Sequence, residues 1–408
     1  MRCRNCNNQL HHVFLDLGYA PPSNSYLVAE KLTEPELFFP LKLFVCEQCW
    51  LVQTQSHTRC EELLFKDDYA YFSSVSSGWL DHASNYVEMI IERLALNSRS
   101  LVVEVASNDG YLLKNFLPLE IPCLGIEPAL GTAQAARALG IPVMGEFFGK
   151  QVAEKLALSG KQADLIIGNN VFAHVPAIHD FSAGLKSLLK PEGTITLEFP
   201  HLLNLLLLNQ FDTVYHEHYT YLSLQIVENI FNANGLRIFD VEKLPTHGGS
   251  LRIYGCHLDD VRTRCSSVDQ ILKEEVEAGM RDLTIYLDFQ PKADKIKNDL
   301  LAFLVKAKRK HKKVVAYGAA AKGNTLLNYA GIKTDLITYL FDAAPSKQGK
   351  FMPGSHIPIL APDALKSYCP DYVLILPWNI SDEIVHEQSY IEDWGGKFIV
   401  SIPHLEIK

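Results

Sequence analysis

The sequence predicts an α/β chain in three parts, and three observations predict it. Two Cys-x-x-Cys pairs open the chain, Cys3/Cys6 and Cys46/Cys49. Short apolar runs then alternate with helix-like stretches: "SLVVEVA", "CLGIEP", "ADLIIGNN" and "GTITLEFP". A second alternating segment, with "KVVAYGA", "DLITYLFD" and "YVLILPW", follows a charged periodic stretch from 268 to 310. Alternation of short apolar strands with helical pattern is the mark of parallel sheets covered on both faces. The expected boundaries are 1–68, 69–265 and 266–408.

The bulk numbers narrow the function. A chain of 408 residues suits two or three domains. Its net charge of -9 argues against a general nucleic-acid binder, which needs a basic face to displace counterions. No apolar run approaches the ~20 residues needed to span a bilayer. The richest, Leu202 to Leu208, is broken by Asn204 and reads as a core or interface helix. The start of the chain lacks the order of a signal peptide. A cytoplasmic protein with no membrane or nucleic-acid partner is expected.

The first element is the cysteine-rich module. Nine cysteines, an odd number with five scattered, do not make a disulfide framework. In a reducing compartment the two pairs read as metal ligands. Each Cys-x-x-Cys turn presents two thiolates, and together Cys3, Cys6, Cys46 and Cys49 form a closed tetrahedral S4 site for zinc. With no open position the metal is structural, and its binding free energy supports a segment too small to build its own core. The distance between the pairs requires hairpins between them.

The second element is a strand–turn–helix unit, Leu101 to Tyr111. Glu104 lies in the strand, Ala106, Asn108 and Asp109 at the turn, and Gly110 permits close backbone approach. The next strand ends in Glu127, placed to accept both ribose hydroxyls of an adenosine. The third strand ends in Asn169 and Asn170. There is no GxGxxG. That favours S-adenosylmethionine over a dinucleotide, because a sulfonium needs no diphosphate cradle. The plainer reading is that Glu104 and Asp109 only cap and orient the helix.

The third element is the loop Phe211 to Tyr221, with Tyr215, His216, Glu217, His218 and Tyr219 in succession. It follows a strand whose end carries Glu198 and His201, where α/β sheets put chemistry. His218 is a candidate general base near neutral pH. Glu217 is suited to orient an imidazole or grip a hydroxyl. A metal site and a merely structural polar loop stay open, although the two-residue spacing of His216 and His218 does not suit a helical HExxH site. Tyr69, Tyr71 and Ser74 in "YAYFSS" and His174 in "NNVFAHVP" are expected to converge on this loop.

The fourth element is the second strand–turn–helix, "KVVAYGAAAKGNTLLNY". Gly318 and Gly323 let a phosphate approach the amides at the helix start. Lys322 adds a charge, and Asn324 and Thr325 add hydrogen bonds. Asp342 ends the following strand, where it can accept from a ribose or base edge, and Lys347 and Lys350 can pair with a diphosphate. An ordinary α/β turn with solvated lysines is the alternative.

The motifs "YAYFSS", "EVASNDGYLL", "NNVFAHV", "LEFPHL", "FDTVYHEHYTYLS", "HGGSLR" and "YGAAAKGNTLLNY" occur in this order behind the cysteine pairs. Over essentially the whole chain they resemble the nucleotide-sugar C-methyltransferases of deoxysugar biosynthesis. The resemblance implies a zinc-binding module, a central class I S-adenosylmethionine-dependent domain and a C-terminal Rossmann-like domain, with the ketosugar nucleotide between the last two. It implies Tyr71, His174, Tyr215, Glu217 and His218 as the active-site set. In that set His218 is the base, Tyr215 and His174 stabilise the enolate or relay its proton, and Glu217 positions substrate. His247, Ser250 and Arg252 resemble residues lining the sugar-diphosphate cleft. The expected reaction is C-methylation, at C3, of a nucleoside-diphosphate 4-keto-6-deoxysugar by a monomer or weak homo-oligomer. The alternatives are methylation at C5 and a non-catalytic nucleotide-sugar-binding protein on the same scaffold.

Overall fold

A computed structural model describes residues 1–55 and 72–408. Tyr69 and Tyr71 lie outside the described residues. The N-terminal module carries β1 (His12–Ala20), β2 (Phe39–Val45) and β3 (Val52–Thr54), paired antiparallel in that order. In β2 every second residue is buried, the period-two signature of a strand with one covered face.

The central domain begins with α1 (Ser77–Leu94), capped by the Ser76 hydroxyl, which accepts from the Trp79 amide. It continues through β4 (Val102–Val105), β5 (Cys123–Ile126), α2 (Leu130–Ala138), β6 (Val143–Met144), α3 (Lys150–Leu158), β7 (Ala163–Asn169), α4 (Ile178–Leu188), β8 (Leu189–Pro200) and the buried α5 (Leu202–Leu207). β9 (Thr220–Tyr221), α6 (Leu224–Ala233), β10 (Leu236–Leu244) and β11 (Ser250–His257) complete it. The sheet order is β10-β11-β8-β7-β4-β5-β6. β4 to β8 run parallel and β11 is antiparallel to its neighbours. The strand order therefore reverses between β4 and β7, and a ligand crevice opens beyond their carboxyl ends.

β9 does not join this sheet. It pairs with β3 of the N-terminal module, Val52 opposite Tyr221 and Gln53 opposite Thr220. The histidine-rich loop is thereby stitched to the cysteine-rich module.

The charged stretch folds as three helices, α7 (Ser266–Glu277), α8 (Leu283–Leu287) and α9 (Phe289–Arg309). α9 buries Phe289, Ala293, Ile296, Leu300, Leu304 and Ala307, one stripe at three- and four-residue spacing. Its last turn is basic, as its dipole favours. The C-terminal domain holds β12 (Val314–Tyr317), α10 (Ala321–Tyr329), β13 (Leu340–Phe341), β14 (Ile359–Leu360), α11 (Ala364–Tyr368), β15 (Tyr372–Ile375), α12 (Ser381–Glu387), β16 (Lys397–Val400) and β17 (Glu406–Ile407). Its sheet order, β14-β13-β12-β15-β16-β17, is that of a dinucleotide-binding fold, parallel except at β17.

One apolar core joins the outer parts. Phe14 and Leu41 of the module, Leu205 of α5, Phe211, Phe289 and Leu300 of α9, and Leu326 and Leu374 of the C-terminal domain belong to the same buried cluster. Phe14 stacks on Phe289 at 5.0 Å. This packing fixes the crevices of the two α/β domains against one another. Among the described residues no helix is long and apolar enough to cross a membrane.

Candidate active site

The four cysteines of the two pairs converge. All four sulfurs lie within 4.8 Å of one another. Cys3 Sγ is 3.5 Å from Cys49 Sγ, and Cys6 Sγ is 3.5 Å from Cys46 Sγ. A tetrahedron with Zn–S bonds of ~2.3 Å has edges of about 3.8 Å, so the thiolates fit a structural zinc ion.

The cofactor crevice is built at the ends of β4, β5 and β7. Ala106 and Asn108 both adopt positive φ, 57° and 48°, conformations that cost non-glycine residues strain and collect at functional turns. Gly110 follows at φ 80°, where a Cβ would stand 2.4 Å from Ile141 Cδ1. Glu127 holds the turn in place: its carboxylate accepts from the Asn108 amide and the Ala129 amide, each at 2.9 Å. Asn108 Oδ1 accepts from the Ser73 amide at 3.0 Å and Asp109 Oδ2 from the Ser74 amide at 3.1 Å. Burial pushes the carboxyls of Glu104 and Glu127 up; the charge of Asp109 adds to both shifts, and that of Glu127 adds to the shift of Glu104.

Around this turn Ser107 Oγ, Asp109 Oδ1, both polar atoms of Asn169 and Asn170 Oδ1 are buried without hydrogen-bond partners among the described residues. Orphaned polar atoms in an interior call for a ligand. Three acidic groups that form no salt bridge among the described residues fit an adenosine that carries a positive sulfonium.

The histidine-rich loop lies between the crevices. His218 Nδ1 is 3.2 Å from the Thr213 carbonyl. That contact makes Nδ1 the protonated nitrogen and turns Nε2 into the acceptor. The Tyr215 ring lies 4.0 Å from the His218 ring, and the His174 ring meets it edge-on at 4.6 Å. The Thr54 hydroxyl donates to the His218 carbonyl, so the N-terminal module grips the loop here too. Burial, then the nearby His174, hold the His218 imidazole well below its usual range. Burial likewise lowers His174 and His247 to about 4. All three rings are therefore neutral at pH 7, the state in which an imidazole accepts a proton. Glu217, buried, accepts from Asn24 Nδ2 at 2.6 Å. His216 is buried in the turn before it, edge-on to Phe39 at 6.1 Å.

The C-terminal turn closes over this loop. The Thr325 hydroxyl of α10 donates to the Val214 carbonyl at 2.7 Å. Lys322, one turn earlier on the same helix, donates to Asn379 Oδ1 at 2.5 Å and lies 4.7 Å above the Trp378 ring. Burial lowers its ammonium to about 8. Trp378 Nε1 donates to Asp212 Oδ2 at 2.8 Å, and burial raises that carboxyl to about 6. Gly248, at φ 86°, admits the Trp378 ring where a Cβ would stand 2.4 Å from it. Asp342 accepts from the Ala319 amide at 2.6 Å and the Ala344 amide at 2.7 Å. Lys347 Nζ lies 3.4 Å from that carboxylate and donates to the Ala319 carbonyl at 2.9 Å. Gly323 packs on Leu376, Asn324 is fully buried, and Lys350 is half-buried beyond Lys347.

Other residues singled out from the sequence are held in internal pairs. His201 Nε2 lies 2.7 Å from Glu275 Oε1, and Glu275 also accepts the Leu224 and Gln225 amides at the start of α6. Glu198 is fully buried against Arg252 at 3.0 Å, His82 at 2.8 Å and the Thr246 hydroxyl at 2.8 Å. The Ser250 hydroxyl donates to the Thr246 carbonyl at 2.9 Å. His247 remains at the crevice, 3.0 Å from Asn170 Nδ2. Sequence reasoning missed Asn24, Tyr26, Asp212, Trp378 and Trp79. Trp79 lies between the Tyr111 ring (5.9 Å) and the His247 ring (5.2 Å), linking cofactor turn to loop. The run Pro21-Pro22-Ser23-Asn24 was the available signal for the first two, a stiff turn in a module otherwise read only for its cysteines.

Fold and site define a class I S-adenosylmethionine-dependent methyltransferase with a zinc module. Three family models match it: a zinc binding domain over residues 3–64, a methyltransferase domain over 79–241 and a C-methyltransferase C-terminal domain over 245–403. The chain is 34% identical over 402 residues to the C-methyltransferase NovU of Streptomyces niveus, covering 98% of this chain and 95% of that protein. It belongs to the sugar C-methyltransferase family. Solved structures to which it is similar include the YcgJ protein of Bacillus subtilis (12% identity, 44% of this chain and 100% of that one, TM-score 0.36). Magnesium protoporphyrin IX methyltransferase of Synechocystis is another (15%, 43% and 79%, TM-score 0.32).

Proposed function

We propose that this enzyme methylates C3 of a nucleoside-diphosphate 4-keto-6-deoxysugar through an enolate, with His218 as the base. The observation that carries the reading is the His218 imidazole. It is neutral, tied through Nδ1 to the Thr213 carbonyl and flanked by Tyr215 and His174. It lies on a loop between a crevice suited to a cationic adenosine and a turn lined by lysines.

The chemistry follows from the substrate class. A sugar C3–H beside a C4 ketone is acidic because the anion delocalises onto oxygen. His218 Nε2 takes that proton, and the Thr213 carbonyl stabilises the imidazolium that forms. Tyr215 and His174 face the developing enolate charge, where preorganised donors act most strongly. Glu217 holds a sugar hydroxyl. Lys322, Lys347 and Lys350 meet the diphosphate, and Asp342 meets the ribose or base. Glu127, Asn108, Asp109 and Asn169 hold S-adenosylmethionine, which supplies the methyl group. Tyr71 is assigned to the active site by the family resemblance.

His218→Asn removes the ring and its Nε2 base, while the side-chain amide can keep the Nδ1-side donor to the Thr213 carbonyl. We expect turnover to fall roughly 10²–10⁴-fold, with S-adenosylhomocysteine affinity unchanged by titration calorimetry. Retained turnover would falsify the base assignment. Incubation with methyl-labelled S-adenosylmethionine and a panel of dTDP- and GDP-4-keto-6-deoxysugars, read by mass and NMR, identifies carbon and nucleotide. Label at C5, or on oxygen, overturns the C3 reading.

A further inference from the structure

The N-terminal module does more than bind zinc. Between β1 and β2 the chain makes a turn in which the Ser25 amide donates to the Pro22 carbonyl at 3.1 Å. Pro21, Pro22 and Ser23 are buried, and Pro21 packs against Gly354 of the C-terminal domain. Two prolines restrict this turn before any contact forms. The residues after it are pinned to the C-terminal domain. The Tyr26 hydroxyl donates to the Ala319 carbonyl at 2.6 Å. Leu27 and Phe351 exchange both backbone hydrogen bonds, at 3.0 and 2.8 Å. Glu36 takes the Gly354 amide at 2.9 Å and lies 2.9 Å from His356 Nε2.

From this anchored turn the Asn24 side chain reaches the central domain's loop. Asn24 Nδ2 donates to Glu217 Oε1 at 2.6 Å. Glu217 is 3% exposed, so its carboxylate has little water to satisfy it. A donor held by a stiff loop fixes the orientation of such a carboxylate. Glu217 is the direct chain neighbour of the proposed base. The same turn touches both walls of the cleft: Glu217 on one side, and on the other Ala319, the residue whose amide and carbonyl serve Asp342 and Lys347.

We propose that Asn24 is a positioning residue for Glu217, so that the zinc module forms the third wall of the acceptor cleft and sets how the sugar is held. This rests on the reading of Glu217 as a substrate-gripping group. The module thereby shapes acceptor recognition and not the cofactor crevice, since the turn's side-chain hydrogen bonds run to Glu217 and to Ala319.

The test is a double-mutant cycle on the intact zinc-loaded enzyme: Asn24→Ala, Glu217→Gln and both together. The readings are KM and kcat for the ketosugar nucleotide, affinity for S-adenosylhomocysteine, and melting temperature. Asn24→Ala is expected to raise KM about tenfold, the size of one hydrogen bond to a charged group. It should change kcat less than about threefold and leave cofactor affinity and melting alone. In the Glu217→Gln background, where a neutral amide oxygen replaces the carboxylate as acceptor, the same change should cost clearly less. A purely structural role would move melting and both ligands together and would overturn the proposal. So would an Asn24 effect of equal size in both backgrounds. If Glu217→Gln is impaired and Asn24→Ala is not, the proposal fails while the reading of Glu217 stands. If neither is impaired, both fail. Asn24→Asp covers the case in which alanine disrupts the turn: it is isosteric and turn-compatible, yet it replaces the donor with a repelling carboxylate, so it should raise KM more than alanine does.

Discussion

The first turn of the central domain and the first turn of the C-terminal domain are built alike and furnished oppositely. In each, an acid at the end of the second strand clamps two amides, one in the preceding strand–helix turn and one two residues beyond itself. Glu127 takes Asn108 and Ala129, and Asp342 takes Ala319 and Ala344. Around Glu127 the neighbouring charges are Glu104 and Asp109, and several buried polar atoms have no partner among the described residues. Around Asp342 the neighbours are Lys347 and the Tyr26 hydroxyl, both on the Ala319 carbonyl. On the function proposed above, one architecture serves two ligands of opposite charge, a sulfonium at one turn and a diphosphate at the other. The strand order sets where a ligand lies, and the side chains set its sign.

Crossed substitutions break this comparison most directly. Glu127→Ala is expected to weaken S-adenosylhomocysteine binding about 100-fold, at the upper end for lost hydrogen bonds to a charge, with nucleoside-diphosphate binding unchanged. Asp342→Ala is expected to do the reverse, about 10-fold, because Lys347 remains to hold the anion. Calorimetry with each ligand reads both. If either substitution weakens both ligands equally, the two turns are not separate sites.

The imidazoles between the turns sharpen it through pH. His174 and His247, lowered to about 4 by burial, bind fewer protons folded than unfolded between pH 4 and about 6.5. Their contribution is complete above about pH 6.5 and is lost as pH falls toward 4. For His174 this amounts to roughly 1–3 kcal/mol, discounted from 1.36 kcal/mol per pKa unit because the ring keeps some exposure. Melting temperature should drop through this range, and His174→Asn should flatten the drop. An unchanged slope would show that His174 is solvated. The smallest expected effect is at Lys347. Lys347→Ala should cost about fivefold in nucleoside-diphosphate affinity, as for a partly exposed charge, and nothing for S-adenosylhomocysteine.

Much of this was legible because its signals are local. Cysteine spacing, apolar runs of strand length, and an acid at a strand's end all sit within a few residues of one another. The zinc ligands and both acids, Glu127 and Asp342, could be read from such windows. What the sequence hid depends on partners far away. His201 reads as a cleft residue until Glu275 on α7 appears beside it in the interior. Glu198 and Arg252 look like substrate groups but satisfy one another across β8 and β11. Asp212 and Trp378 meet only because Gly248 leaves room for the indole. Asn24 has no periodicity or motif to mark it, only a proline turn. β9 is two residues long, too short for alternation to show.

That two-residue strand bears on how the protein is made. The sheet around the cysteines lacks its last strand until Thr220 and Tyr221 leave the ribosome. At ~5–20 residues per second, that is roughly 10–30 s after β3 has emerged. Through that interval β3 presents an unpaired edge, the kind of surface on which nascent chains aggregate. Metal captured early by the first cysteine pairs would hold the hairpin in shape while its final partner is still being synthesised.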